Sequence, residues 1–123
     1  MTSHDTLDAL LARQPALDER LRDFERAVTS GPVDPRLLEL CRTTVAKLLS
    51  DDTVGTIERG DLDACERACV AFTEMYVIDA HAVTDEMCAE VRAHLGDAGA
   101  TALTLAVALF DTVSRSRVAL GVT

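Results

Sequence analysis

Leu17, Leu21, Phe24 and Val28 recur at spacings of four, three and four, which sets them on one face of a helix that Pro15 begins in its first turn. Leu7, Leu10 and Leu11 form a weaker helical turn ahead of that proline. Ser30-Gly31-Pro32 ends the unit. Asp34 then reads as an N-cap with Pro35 at the first helical position, opening a second helix over about Pro35 to Leu49. Its apolar stripe is Leu37, Leu40, Cys41, Thr44, Val45 and Leu48, widened by Leu38 and Leu49. Asp51 to Gly60 holds two glycines and only Val54 and Ile57 as large apolar residues, so it reads as a connection with one short helical turn.

Asp63 and Glu66 have the spacing of a capping box before a helix striped with Ala68, Cys69, Phe72, Met75 and Tyr76. Thr84 caps the next helix, where Asp85 and Glu86 face the positive end of the dipole, Met87, Val91 and Leu95 point inward, and Gly96 is the stop. Ala98 to Leu120 follows as the most apolar segment, with Leu103, Val107, Phe110 and Val113 and little polar surface before Ser114. A helix apolar nearly all round is covered on several sides, by a subunit interface as readily as by the chain's own core. No stretch alternates as a strand does, so the expected fold is all-α, a bundle of five or six helices.

At 123 residues, 48% apolar and 27% charged, the chain suits one compact domain. A net charge of -9, with Lys47 the only lysine among 12 basic residues, argues against nucleic acid as a partner, because phosphate binding needs clustered cations. The same charge favours solubility and repels anionic membrane surfaces. Met1 to Asp8 lacks the basic stretch and apolar core of a secretion signal, and the run Ala98 to Phe110 is short of the roughly 18 to 20 residues a bilayer span needs. The expectation is therefore a cytoplasmic protein without a membrane partner, whose 4 cysteines are reduced thiols.

Cys65 and Cys69 share a helix face four residues apart, too far for a disulfide without distortion, and no His or Cys at short spacing completes a zinc site. No metal and no cofactor is expected. His81 sits between a helix end and the Thr84 cap, where a cation suits the dipole, and His94 sits near another helix end; His4 lies near the N-terminus. Glu39, at the edge of a buried stripe, is the candidate proton carrier, unless it is solvated or paired with Arg42 or Arg36. Arg115, at the end of the apolar helix, is a candidate for holding an anion.

From Pro32 to Val122 the chain resembles the carboxymuconolactone decarboxylase and alkylhydroperoxidase (AhpD-like) superfamily. The resemblance rests on Pro35-Arg36-Leu37-Leu38-Glu39-Leu40, Val45-Ala46-Lys47-Leu48, Glu66-Arg67-Ala68, Val83-Thr84-Asp85-Glu86 and the long helix ending in Ser114-Arg115 and Val118-Ala119-Leu120-Gly121-Val122. It divides the chain into an N-terminal helical segment, 1–31, and a family-like helical domain, 32–123. It implies an all-helical fold assembled into trimers, hexamers or related homo-oligomers. Redox-active members carry Cys-x-x-Cys-x-x-x-His after a catalytic Glu, the cysteines reducing a peroxide or disulfide while Glu and His relay protons. Glu39 matches that Glu, but Asp51 and Val54 stand at the cysteine positions and Glu58 at the histidine position. The Asn-Arg near the end of many members is Ser114-Arg115 here. No cysteine lies between Cys41 and Cys65, so no shift in alignment restores the motif.

Thiol peroxidase activity is accordingly not expected, since the thiolate is the nucleophile. The resemblance implies a catalytically degenerate oligomer with a structural, regulatory or small-molecule-binding role. One alternative is a cofactor-free lyase, isomerase or decarboxylase using Glu39 as acid or base, with His81 or Arg115 assisting. Another is a non-catalytic subunit that completes a hetero-oligomer with an intact family member.

Overall fold

The computed structural model describes residues 5–57 and 60–123, all of whose regular structure is helical. Five α-helices follow one another: α1 (Leu7–Leu11), α2 (Pro15–Thr29), α3 (Pro35–Leu48), α4 (Ala64–Ile78) and α5 (Asp85–Leu120), with a 3-10 turn, Ala80–Ala82, between the last two. The expected all-α bundle is what forms. His4 and Glu58 lie outside the described residues.

The helix starts follow from side-chain capping. The Asp34 carboxylate accepts the Arg36 N–H at 2.7 Å, with Pro35 following as the first helical residue. Asp63 accepts the Glu66 N–H at 2.8 Å while Glu66 accepts the Asp63 N–H at 3.0 Å, a reciprocal capping box. The Thr84 hydroxyl accepts the Met87 N–H at 3.2 Å. Each cap satisfies amides that the helix itself cannot pair.

α3, α4 and the C-terminal arm of α5 pack on one another and supply most of the core: Leu40, Cys41, Val45, Cys69, Leu103, Ala106 and Val107 are sealed from solvent. α2 leans on α5, and α1 on α2. The Leu7 N–H donates to the Thr123 carbonyl at 2.9 Å and the Thr123 N–H to the Asp5 carbonyl at 3.2 Å, tying the entry of α1 to the segment after α5.

Three sequence expectations need correction. Asp51 to Gly60 makes turns and bends but no helical turn over its described residues. The Asp51 carboxylate takes both the Thr53 N–H at 3.2 Å and the Thr53 hydroxyl at 2.7 Å, a local bond that competes with helix nucleation. Gly96 does break the helical backbone, at φ 71° and ψ 173°, a region essentially reserved for glycine, but the next helix restarts at once, so α5 is two arms joined at a kink. The stripe on α2 is buried only at its C-terminal end: Val28 is covered, whereas Leu17 and Phe24 remain 59% and 40% exposed.

α5 also contains an 18-residue window of mean hydropathy 1.3, long and apolar enough by length and composition to cross a membrane. The uninterrupted apolar run is shorter than that window. Core helices of water-soluble domains pass the same test, and 33% of this window is buried inside the structure. Leu105, Val118 and Leu120 on the same helix stay about half exposed.

Candidate functional site

Where α1 and α2 lean over α3 and the C-terminal arm of α5, the helices leave a cleft of about 370 Å³, within the range of small-molecule sites. Leu38, Leu109, Phe110 and Val113 form its apolar floor, and Leu7, Leu11 and Leu21 its opposite wall. Val54 contributes from the connection after α3. Arg22, Arg42 and Arg117, the carboxylates Asp8, Glu25 and Glu39, and Thr29, Pro35 and Ser114 complete it.

Below the cleft lies a buried polar network that ties the α3–α4 connection to the end of α5. The Asp51 side chain is 1% exposed. Its Oδ2 accepts the Ser114 hydroxyl at 2.7 Å and Arg117 Nη1 at 3.2 Å, while Oδ1 takes the two Thr53 donors. Burial alone would push the Asp51 carboxyl up, but the hydrogen bonds from Thr53, Ser114 and Arg117 outweigh it and hold the group below the usual carboxylate range. Asp51 is therefore a fixed anion at neutral pH. Ser114 and Arg117, three residues apart, share the helix face that meets it.

Glu39 does stand in the cleft wall, where its carboxylate is 44% exposed and 3.6 Å from Arg42 Nε. Arg36 is engaged elsewhere, with Glu66 at 3.0 Å. His81 sits exposed on the 3-10 turn, its backbone N–H donating to Asp79, and does not line the cleft. Arg115 is also outside the cleft: it pairs with Asp111 at 2.8 Å along α5 and donates to the Val77 carbonyl at 3.2 Å. Of the three candidates from sequence, only Glu39 belongs to this site.

All four cysteines are thiols. Burial and the neighbouring Cys65 push the Cys69 thiol up, and burial does the same to Cys65. Neither is electronically suited to act as a thiolate at neutral pH. No group of three or more metal-ligating side chains forms among the described residues. A second hollow, about 540 Å³ and mainly apolar, lies over the α5 kink between Phe72, Val91, Ala100 and Leu105, with Thr101 and Thr104 also lining it and Arg92 and Asp97 paired at its edge. It brings no convergent chemistry together.

In the sequence Asp51 stands at the start of the connection after α3 and at a cysteine position of the resemblance, and its pairing with Ser114 and Arg117 does not show there. The local half of the signal was present: an acid followed two residues later by Thr marks a side-chain turn, and Ser-x-x-Arg at the end of an apolar helix presents two donors on one face. What brings the halves together is a contact spanning more than half the chain. No family model matches this chain, and neither a curated protein nor a solved structure matches it.

Proposed function

We propose that this protein is a divergent, catalytically degenerate relative of the carboxymuconolactone decarboxylase and AhpD-like proteins, a self-associating helical scaffold that binds a small molecule in the cleft. The observation that carries this reading is Asp51. At the position where the resemblance calls for the first redox cysteine stands a buried carboxylate, saturated by Thr53, Ser114 and Arg117, which holds the scaffold together and cannot exchange electrons. The cleft above it combines an apolar floor with a few polar groups, the usual make-up of a ligand site. Self-association is supported by the half-exposed Leu105, Val118 and Leu120 on α5 and by Ile78 at 67% exposure.

Glu39 at the cleft wall is the one feature that favours the alternative of a cofactor-free lyase, isomerase or decarboxylase. Its side chain is 44% exposed and beside Arg42, and the other carboxylates of the cleft, Asp8 and Glu25, are engaged by Arg22, which weighs towards binding.

A fragment screen read from the methyl resonances of the protein tests the binding role. Small apolar compounds bearing one polar group should perturb Leu38, Leu109 and Val113 together and leave the hollow at the α5 kink unmoved. Perturbations confined to Val91 and Leu105, or none across the screen, would remove the cleft as a ligand site.

A further inference from the structure

The balance of charges and hydrogen-bond donors in the cleft selects among ligand chemistries. Arg22 is ringed by Asp8 at 2.6 Å, Asp18 at 3.3 Å and Glu25 at 3.7 Å, and Arg42 stands beside Glu39. Arg117 differs. Its Nη1 is on Asp51, its Nε is buried without an acceptor among the described residues, and its Nη2 makes no hydrogen bond to any described residue. Asp51 has no capacity left, since its two oxygens already accept four bonds. The buried Nε is out of a ligand's reach, so Nη2 is the donor that Arg117 can offer to an acceptor atom in the cleft.

Net charge argues against that acceptor being anionic. Three arginines stand against five carboxylates, Asp8, Asp18, Glu25, Glu39 and Asp51, in and behind the wall, and the chain as a whole carries -9. An incoming anion is repelled by this surplus. The surplus draws a cation by the same token, but each of these carboxylates already faces an arginine, Asp8, Asp18 and Glu25 sharing Arg22. We infer that the cleft takes an uncharged molecule with an apolar body and one carbonyl-type oxygen. The oxygen is received by Arg117 and the body lies over Leu38, Leu109, Phe110 and Val113. This assignment rests on the binding role proposed above and narrows it to a ligand class.

Three probes sharing one ring and differing only in the head group test it: cyclohexanecarboxamide, cyclohexanecarboxylate and cyclohexylmethylammonium, titrated against the intact protein by ligand-observed NMR. The amide should bind about tenfold more tightly than either charged probe. Arg117→Lys keeps a cation for Asp51 but replaces the planar fork by a single nitrogen that cannot also reach into the cleft as Nη2 does, and it should weaken the amide about tenfold while leaving the carboxylate's weak binding unchanged. The ranking on the unaltered protein decides the matter even if that variant folds poorly. Carboxylate or ammonium binding as tight as the amide's, or an amide affinity unmoved in folded Arg117→Lys, overturns the ligand class and leaves binding in the cleft standing. If none of the three binds, the binding role itself fails and the ligand class with it.

Discussion

Replacing Asp51 with alanine should destabilise the protein by about 3–5 kcal/mol, because it breaks a buried ion pair and leaves the other partner uncompensated. The loss is not confined to one bond. The Ser114 hydroxyl and Arg117 Nη1 lose their shared acceptor, and the turn held by Thr53 loses its anchor. For a domain of 123 residues, each kcal/mol lowers the thermal midpoint by about 4 °C, so the midpoint should fall by about 12–20 °C. Ser114→Ala removes one donor and leaves the Arg117 pair in place, so it should cost about 1 kcal/mol.

The pH dependence follows from the sign of the shift. Asp51 is held below the ordinary carboxylate range in the folded protein, so its contribution is fully present above a pH of about 4 and is lost as pH falls through the lower folded value. Unfolding midpoints followed from pH 5 downwards should therefore converge between the parent protein and Asp51→Ala. Midpoints that stay parallel through this window would mean that the carboxylate is not what the network depends on.

The second large effect belongs to the core. Leu103 is wholly sealed and clusters with Leu37, Val45, Cys69 and Phe72, so Leu103→Ala removes a buried side chain where three helices meet. A loss of about 3–5 kcal/mol is expected from the transfer and cavity terms together, a large fraction of the roughly 5–15 kcal/mol that holds a domain folded. Two residues further on the same helix, Leu105 is 46% exposed. Leu105→Ala should shift the unfolding midpoint of the dilute protein by no more than about 0.5 kcal/mol equivalent. Denaturant titration of the two variants side by side checks whether this helix is divided into a core face and an open face.

Most of the fold was legible because its determinants are local. The Asp34-Pro35 start, the Asp63/Glu66 capping box and the Thr84 cap each act within one helical turn, and each is where the periodicity placed it. The stripe on α3 was equally readable, since a 3.6-residue period needs no knowledge of its partner. Leu17 and Phe24 have the same period and are left open, because periodicity reports which face is apolar and not how far a neighbouring helix reaches along it. Gly96 was readable as a break, but whether the chain turns away after it depends on where the second arm finds its packing.

The site was less legible than the fold. Glu39 could be placed at the edge of a buried stripe from its spacing, but its company in the cleft comes from α1, α2 and α5, which periodicity alone does not bring to it. Asp51 stands 63 residues before Ser114 and 66 before Arg117, and the three meet only once α5 crosses the end of α3. His81 and Arg115 were readable as polar residues near helix ends, but their surroundings were not: His81 lies on a 3-10 turn and Arg115 pairs with Asp111 one turn back along α5, both outside the cleft.

A turnover assay of the purified protein with dithiothreitol and hydrogen peroxide tests most directly the proposal that the scaffold has no working redox centre. Consumption of peroxide should not exceed that of a variant in which Cys41, Cys65, Cys69 and Cys88 are all serine, because the thiols lie away from the cleft and those of the Cys65–Cys69 pair are pushed up by burial. Catalytic, dithiothreitol-dependent turnover that Cys65→Ser abolishes would contradict the account and make the protein a thiol peroxidase.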